Sequence, residues 1–232
     1  MTDTKKFRRS EAFFGRRKAK GLSEKQNSLC ANLLPVLKLD TDTPSPKNLN
    51  DLFAFAPDEF VMEIGFGGGE HLAHQAKCHP QTGYIGIEPF INSMAKMLSS
   101  IDKADTQNIR LFDDDAVLVL DWLPEASLDR VDLLYPDPWP KKRHWKRRFV
   151  NQSNLDRIAR VLKPGGKFHF ASDIDTYINW TLNHCDKHPQ FEWQAQSAQD
   201  WQLPYHDWIR TRYEAKAIRE ERTPCYLRFS RK

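Results

Sequence analysis

Five short apolar runs, each followed by a helix-like stretch, narrow the fold class more than any other feature of this chain. From Phe60 onward, FVMEIG, GYIGIE, NIRLF, RVDLLYP and GKFHFAS have the length and composition of strands. Between them, Gly69 to Ala76, Ile91 to Ile101, Ala116 to Trp122 and Asn151 to Leu162 carry helical patterns. Strands that alternate with helices run parallel, because each crossover returns the chain to the same end of the sheet. The expectation is a doubly wound α/β fold of Rossmann-like type, with helices on both faces of a mostly parallel sheet. Two later runs, FEWQA and CYLRFS, predict an antiparallel pair at one edge. Ahead of the core, Met1 to about Lys20 is basic with isolated aromatics (Phe7, Phe13, Phe14). Glu24 to Leu39 then predicts one helix, and TDTPSPKNLN a loop. The chain divides into a basic N-terminal extension and linker, residues 1–57, and a single domain, residues 58–232.

A chain of 232 residues, 40% hydrophobic and 28% charged, suits one such core and excludes a disordered chain. No apolar run reaches the roughly 18 residues that span a bilayer, and no apolar stretch follows the charges near the N-terminus. A soluble protein of the cytoplasm is expected. Cys30, Cys78, Cys185 and Cys225 are far apart and read as ordinary thiols. His71 and His74 sit at i, i+3 without a third ligand and read as structural, so no metal is expected. With a net charge of only +4, it is the placement of charge that bears on partners.

Two loops point to a nucleoside. In Glu63-Ile-Gly65-Phe-Gly67-Gly-Gly69-Glu70, the glycines turn the chain tightly between strand and helix and let the backbone approach a ligand. Their G-x-G-x-G spacing, with Glu63 two positions ahead, departs from the dinucleotide pattern G-x-G-x-x-G. Glu88, about twenty residues on, has the spacing of a carboxylate that accepts hydrogen bonds from a ribose diol. Asp115 follows the third strand, where it can accept from an adenine amino group. With Asp137, these acids close the C-terminal ends of four successive strands, where open α/β sheets bind ligands. A pocket rich in carboxylates suits the cationic sulfonium of S-adenosylmethionine better than a pyrophosphate.

The most specific stretch is Leu133-Leu-Tyr135-Pro-Asp137-Pro-Trp139-Pro-Lys141-Lys-Arg143-His-Trp145-Lys-Arg147-Arg148. Its prolines lock the turn after a strand and hold Asp137 rigidly at the strand end, while Trp139 offers a flat surface to a base. Six of the eight residues from Lys141 to Arg148 are basic, interrupted by His144 and Trp145, so one loop combines phosphate contacts with stacking.

Through EIGFGGG, GIE, the DA after the third strand, YPDPWPKKRHWKRR, ASD and TRYE, residues 58 to 232 resemble the bacterial tRNA (guanine-N7)-methyltransferases. The resemblance implies a class I S-adenosylmethionine-dependent methyltransferase domain over 58–232, acting on guanosine 46 in the variable loop of tRNA and releasing S-adenosylhomocysteine. It implies that Glu63, Gly65, Gly67, Gly69, Glu88, Asp115 and Asp137 bind the donor, with Asp137 also catalytic. It places Lys141, Asp173 and Thr211, Arg212, Tyr213 and Glu214 among the substrate contacts, and Arg143, Lys146, Arg147 and Arg148 in the RNA-contacting loop. Where the family commonly has a lysine, this chain has Arg212, which keeps the charge but changes its geometry.

Guanine N7 carries an in-plane lone pair, so attack on a sulfonium methyl needs alignment and negative charge nearby rather than a strong base. Asp137 and Asp173 are the candidates to grip the N–H edge of the guanine. Nothing in the sequence requires a protein partner or a membrane, and a monomer and a homodimer both fit. Three other readings stand beside this one: a methyltransferase for an exocyclic amine or another RNA, a tRNA-binding protein without turnover, and, disfavoured by the glycine spacing, an NAD-dependent dehydrogenase.

Overall fold

The computed structural model describes residues 15–19 and 21–232. Two helices come first, α1 (Glu24–Asn32) and α2 (Leu34–Leu37). The alternating core follows as β1 (Glu59–Ile64), α3 (Glu70–Cys78), β2 (Thr82–Ile87), α4 (Ile91–Ala104), β3 (Ile109–Phe112), α5 (Ala116–Trp122) and β4 (Leu128–Leu134). It continues as α6 (Gln152–Val161), β5 (Leu162–Ser172), α7 (Asp175–Asp186), β6 (Phe191–Trp193), α8 (Gln199–Gln202), α9 (Arg212–Arg219) and β7 (Cys225–Arg231). The strands form one seven-stranded sheet in the order β3-β2-β1-β4-β5-β7-β6. Five run parallel, as the crossovers require, and β7 pairs antiparallel with both β5 and β6, so β7 lies inside the sheet and β6 is the edge.

Each face of the sheet is covered by helices whose apolar residues recur once per turn. On one face, Met94, Met97, Leu98 and Ile101 of α4 and Leu72 and Ala76 of α3 meet Val61, Tyr84 and Leu111. On the other, Val119 and Leu120 of α5 and Leu155, Ile158 and Ala159 of α6 meet Met62, Ile85, Val131, Leu133 and Phe168. Asn151 caps α6 by accepting the Asn154 N–H at 3.0 Å.

The basic stretch from Met1, with Phe7, Phe13 and Phe14, falls outside the described residues through Phe14. Residues 21–57 are more than the linker expected of them: Leu34, Leu37, Leu39, Leu49 and Phe53 are buried in the two cores, and the Leu39 N–H bonds the Leu111 carbonyl at 2.9 Å. The single helix expected from Glu24 to Leu39 is broken at Leu33, because Pro35 has no N–H to give to the carbonyl four residues back.

One face breaks the apolar pattern. Glu63 of β1 pairs in register with Asp132 of β4, Asp132 with His169 of β5, and His169 with Arg228 of β7, a row of ionisable side chains across four strands. Segment 203–211 lies over it. Tyr205 stacks on His169 at 4.1 Å, and its hydroxyl reaches the carbonyls of Phe170 and Leu227. Among the described residues, no helix is long and apolar enough to cross a membrane.

Candidate active site

The strand order reverses between β2-β1 and β4, and the crevice this leaves at the C-terminal ends is where a ligand site belongs in such a sheet. A cavity of about 670 Å³ opens there, within the usual range for small-molecule sites. Gly65 and Gly67 from the β1–α3 turn, Glu88 after β2, Asp115 after β3, and Tyr135 and Asp137 after β4 all line it. Lys146, Arg147 and Arg148 from the basic loop, and Tyr213 from α9, complete the wall.

Backbone geometry explains the glycines. Gly67 has φ +56°, and a Cβ there would stand 3.1 Å from the Tyr213 ring and 3.3 Å from the Arg212 guanidinium. Gly69, the left-handed residue before α3, would drive a Cβ to 2.4 Å from Met97 Sδ. The turn is tight because the start of α9 closes on it, a contact the glycine spacing alone does not reveal.

Each acid has a distinct setting. Glu88 accepts the Gly67 N–H at 2.8 Å and the Phe90 N–H at 3.0 Å. Burial outweighs those bonds and raises its pKa. Asp115 caps α5 through the Val117 N–H at 3.1 Å. Asp137 is open to the water of the cavity, yet the walls around it desolvate the carboxylate enough to raise its pKa. Glu63, carried over as a donor ligand, is not in the cavity wall. It lies buried beneath the turn, accepting from His71 Nδ1 at 2.8 Å.

The turn after β4 is strained by its own sequence. Pro136 and Pro140 disfavour helical backbone for the residues before them, and Tyr135 and Trp139 adopt φ +50° and +45°. Non-glycine residues held there cost about 1–3 kcal/mol each, so neighbours must hold them. Arg147 sits 4.9 Å over the Trp139 ring and His144 meets that ring edge-on at 6.1 Å. Arg148, only 1% exposed, gives Nε to the Pro138 carbonyl at 3.0 Å and its other nitrogens to Thr176 O and Oγ1 at 2.7 and 2.9 Å. The rings of Trp145, Tyr177 and Trp180 surround it. This corrects one expectation: Arg148 is a clamp inside the loop rather than a phosphate contact, because all three of its nitrogens donate within the protein, to two backbone carbonyls and the Thr176 hydroxyl.

Lys141, Arg143 and Lys146 are exposed on the same loop, around a short 3-10 helix from Lys142 to Arg147. The cluster lowers the pKa of His144: loss of hydration comes first, then Arg147, Arg143, Lys141 and Lys146. Among the substrate positions inferred from TRYE, Thr211 caps α9 by accepting the Glu214 N–H, Arg212 stacks on Tyr213 at 5.0 Å, and Glu214 is buried. Glu214 accepts from Trp208 Nε1 at 2.6 Å and from the Tyr226 hydroxyl. Asp173 stands outside the cavity wall, held by Arg222 Nε at 2.5 Å.

The sequence reading missed part of the wall. Gly15 and Arg16 line the cavity, on a segment fixed by Arg17 to Asp114 at 2.5 Å, by the Ile91 N–H to the Arg17 carbonyl, and by the Ala19 N–H to Asn92 Oδ1. The basic character of the segment is visible in the sequence, but its destination is not. Asn151 and Asn154 also line it, with no signal beyond a helix cap.

A family model described as "Putative methyltransferase" matches residues 57–226. The tRNA (guanine-N(7)-)-methyltransferase of Rhizobium meliloti (strain 1021) is 61% identical over 231 residues, covering 100% of both chains. The protein of the same name from Agrobacterium fabrum is 60% identical over 232 residues, again covering 100% of both. Among solved structures, the aminoglycoside resistance methyltransferase NpmB1 matches with a TM-score of 0.54 at 20% identity, over 76% of this chain and 89% of its own. TrmN from Thermus thermophilus matches at 0.53 and 14%, over 79% of this chain and 47% of its own. At such identities the structures speak for the fold alone.

Proposed function

Because the chain belongs to the tRNA (guanine-N(7)-)-methyltransferase family, we infer that it transfers a methyl group from S-adenosylmethionine to N7 of a guanine in tRNA, as its full-length relatives are named for doing. One observation carries the reading: a strand-end carboxylate, Asp137, and the cations Lys146 and Arg147 share one cavity with Gly65, Gly67, Glu88 and Asp115. We propose that Gly65, Gly67, Glu88 and Asp115 hold the nucleoside of the donor, whose sulfonium supplies an electrophilic methyl. Glu88 takes the ribose hydroxyls on lone pairs not used by Gly67 and Phe90. Asp137 orients the guanine and favours the positive charge that the purine gains when N7 is alkylated. Exposed cations of the basic loop, Lys141, Arg143 and Lys146, with Arg147, take phosphates, and Thr211 to Glu214 with Asp173 border the acceptor.

Guanosine 46 of the variable loop is the proposed target, since a weakly paired loop exposes a base at a cost of only a few kcal/mol. We further propose that residues 58–232 perform the reaction in the cytoplasm without an obligatory protein partner, with 21–57 buttressing the fold. The test is transfer of labelled methyl from S-adenosylmethionine to unmodified tRNA, followed by nucleoside analysis and position mapping. Recovery of 7-methylguanosine at position 46 is expected. Another methylated nucleoside would refute the base assignment, and another position the choice of site.

A further inference from the structure

The ionisable row across the sheet is costly to bury and touches no part of the cavity directly. Asp132 is 2% exposed, flanked by Arg130 Nε at 3.0 Å and His169 Nδ1 at 3.2 Å. Burial alone would raise its pKa, but Arg130 and His169 hold it below the usual carboxylate range. Arg130 reaches on to Gln75 of α3, and Gln75 donates to the Asp207 carbonyl at 2.9 Å. The row therefore grips α3 on one side and segment 203–211 on the other.

His71 of α3 stands where these meet. Its Nδ1 bonds Glu63 at 2.8 Å, beneath the glycine turn, and its ring lies 5.0 Å from the Trp208 ring. Trp208 in turn donates to Glu214 at 2.6 Å. Glu63, His71, Trp208 and Glu214 thus form an unbroken chain of contacts from the floor of the donor turn to the Thr211–Glu214 motif. All but Trp208 are at least nine-tenths buried. The groups facing His71 are Glu63 on β1, Arg130 and Asp132 on β4, and Trp208 on segment 203–211. Burial alone would lower the pKa of the imidazole, but Glu63 and then Asp132 outweigh it and the partial opposition of Arg130, so the pKa is raised.

We propose that His71 is a positioning residue for methyl transfer, fixing Glu63 under the donor turn and, through Trp208, setting the Thr211–Glu214 motif against that turn. The proposal rests on the reading that the turn serves the donor and the motif borders the acceptor. A residue that touches neither substrate then governs the geometry of both. Protonated His71 binds Glu63 most firmly, so the grip is complete at low pH and weakens as pH rises through the raised pKa.

The test compares wild type with His71→Gln, His71→Phe, Trp208→Phe and the His71→Gln/Trp208→Phe pair. Calorimetric affinity for S-adenosylhomocysteine is measured from pH 6 to 9, and kcat and KM for unmodified tRNA in parallel. Loss of alignment is expected to weaken homocysteine-adduct binding in His71→Gln about tenfold and to raise KM for tRNA severalfold. Wild-type affinity should fall with rising pH, His71→Gln should be flat, and the pair should be non-additive. If His71→Phe does not fold, His71→Gln and the wild-type profile still decide. A folded His71→Gln with wild-type affinity, KM and pH profile overturns the proposal, as does a change in Tm alone. Failure of wild type to bind S-adenosylhomocysteine or to methylate tRNA would instead refute the functional reading.

Discussion

Neighbouring arginines in one basic loop should behave in opposite ways when removed. Arg148 makes three hydrogen bonds through a guanidinium with 1% exposure and is enclosed by three aromatic rings. Bonds to a charged donor contribute about 1.5–3 kcal/mol each, part of which water recovers when the side chain is cut away. The carbonyls of Pro138 and Thr176 would lose their partners, and the left-handed Trp139 would lose the anchor beside it. We expect Arg148→Ala to cost roughly 3–5 kcal/mol. At about 2–4 °C per kcal/mol for a domain of this size, the Tm should drop by about 6–20 °C. Arg147 stacks on Trp139 and is less enclosed than Arg148, so Arg147→Ala should cost clearly less than Arg148→Ala, on the order of 1 kcal/mol for the stacking. On the proposed phosphate role of Arg147, the slope of log affinity for tRNA against log salt should fall by about 0.7–0.9, the share of one contact. Thermal melts and salt-dependent binding titrations of both variants make the comparison. Arg148→Ala with an unchanged Tm and a reduced salt slope would refute the burial argument and return Arg148 to the RNA surface.

Asp137→Asn should retain the fold and lose transfer by about a hundredfold or more, as expected for removing a charge aimed at the developing cation. Its pKa is raised in the folded state, so the ionised form costs stability as pH climbs from the ordinary carboxylate range through the raised value. Asparagine removes that cost, and at neutral pH the Tm of the variant should equal or exceed wild type; a clear fall in Tm would contradict this. Gly67→Ala puts a Cβ into left-handed backbone and 3.1 Å from the Tyr213 ring. The strain of about 1–2 kcal/mol should weaken S-adenosylhomocysteine binding roughly tenfold by calorimetry, whereas unaltered affinity would mean the turn is not shaped for the donor.

Much of the fold is legible in the chain because parallel strands buried on both faces read as apolar runs, and FVMEI and GYIGI announce themselves. The helices α7 and α9 escape notice for the opposite reason. In α7 only Tyr177, Thr181 and Cys185 are buried, one residue per turn, and α9 has just eight residues with Glu214 among its buried positions. The motif around Asp137 is legible because proline restricts backbone locally, needing no knowledge of what lies across the sheet. What Arg148 does is not, since six basic residues look alike until a neighbouring helix supplies Thr176. The ionisable row escapes for the same reason. Asp132 within VDLLY looks like an isolated acid and Glu63 like part of the glycine turn, and only strand register brings them to adjacent positions.

The site's electrostatics also explain why a net charge of +4 is a poor guide to what this chain binds. The donor is a cation at its reacting centre and the acceptor a polyanion, so their shared cavity needs acids at its floor and bases at its rim. On the proposed reading Glu88, Asp115 and Asp137 supply the first and Lys146 with Arg147 the second, while over the whole chain 35 Lys and Arg stand against 31 Asp and Glu. Left mobile, the rim cations would fold down onto the acids, because an unscreened pair at 4 Å gains about 4 kcal/mol near a protein surface. The loop's own contacts limit such movement. The prolines fix Asp137, Arg148 ties the loop to Pro138 and Thr176, and Trp139 holds the Arg147 guanidinium 4.9 Å above its ring. The strain at Tyr135 and Trp139 is thus held by the same loop contacts that fix where Asp137 and the Arg147 guanidinium stand.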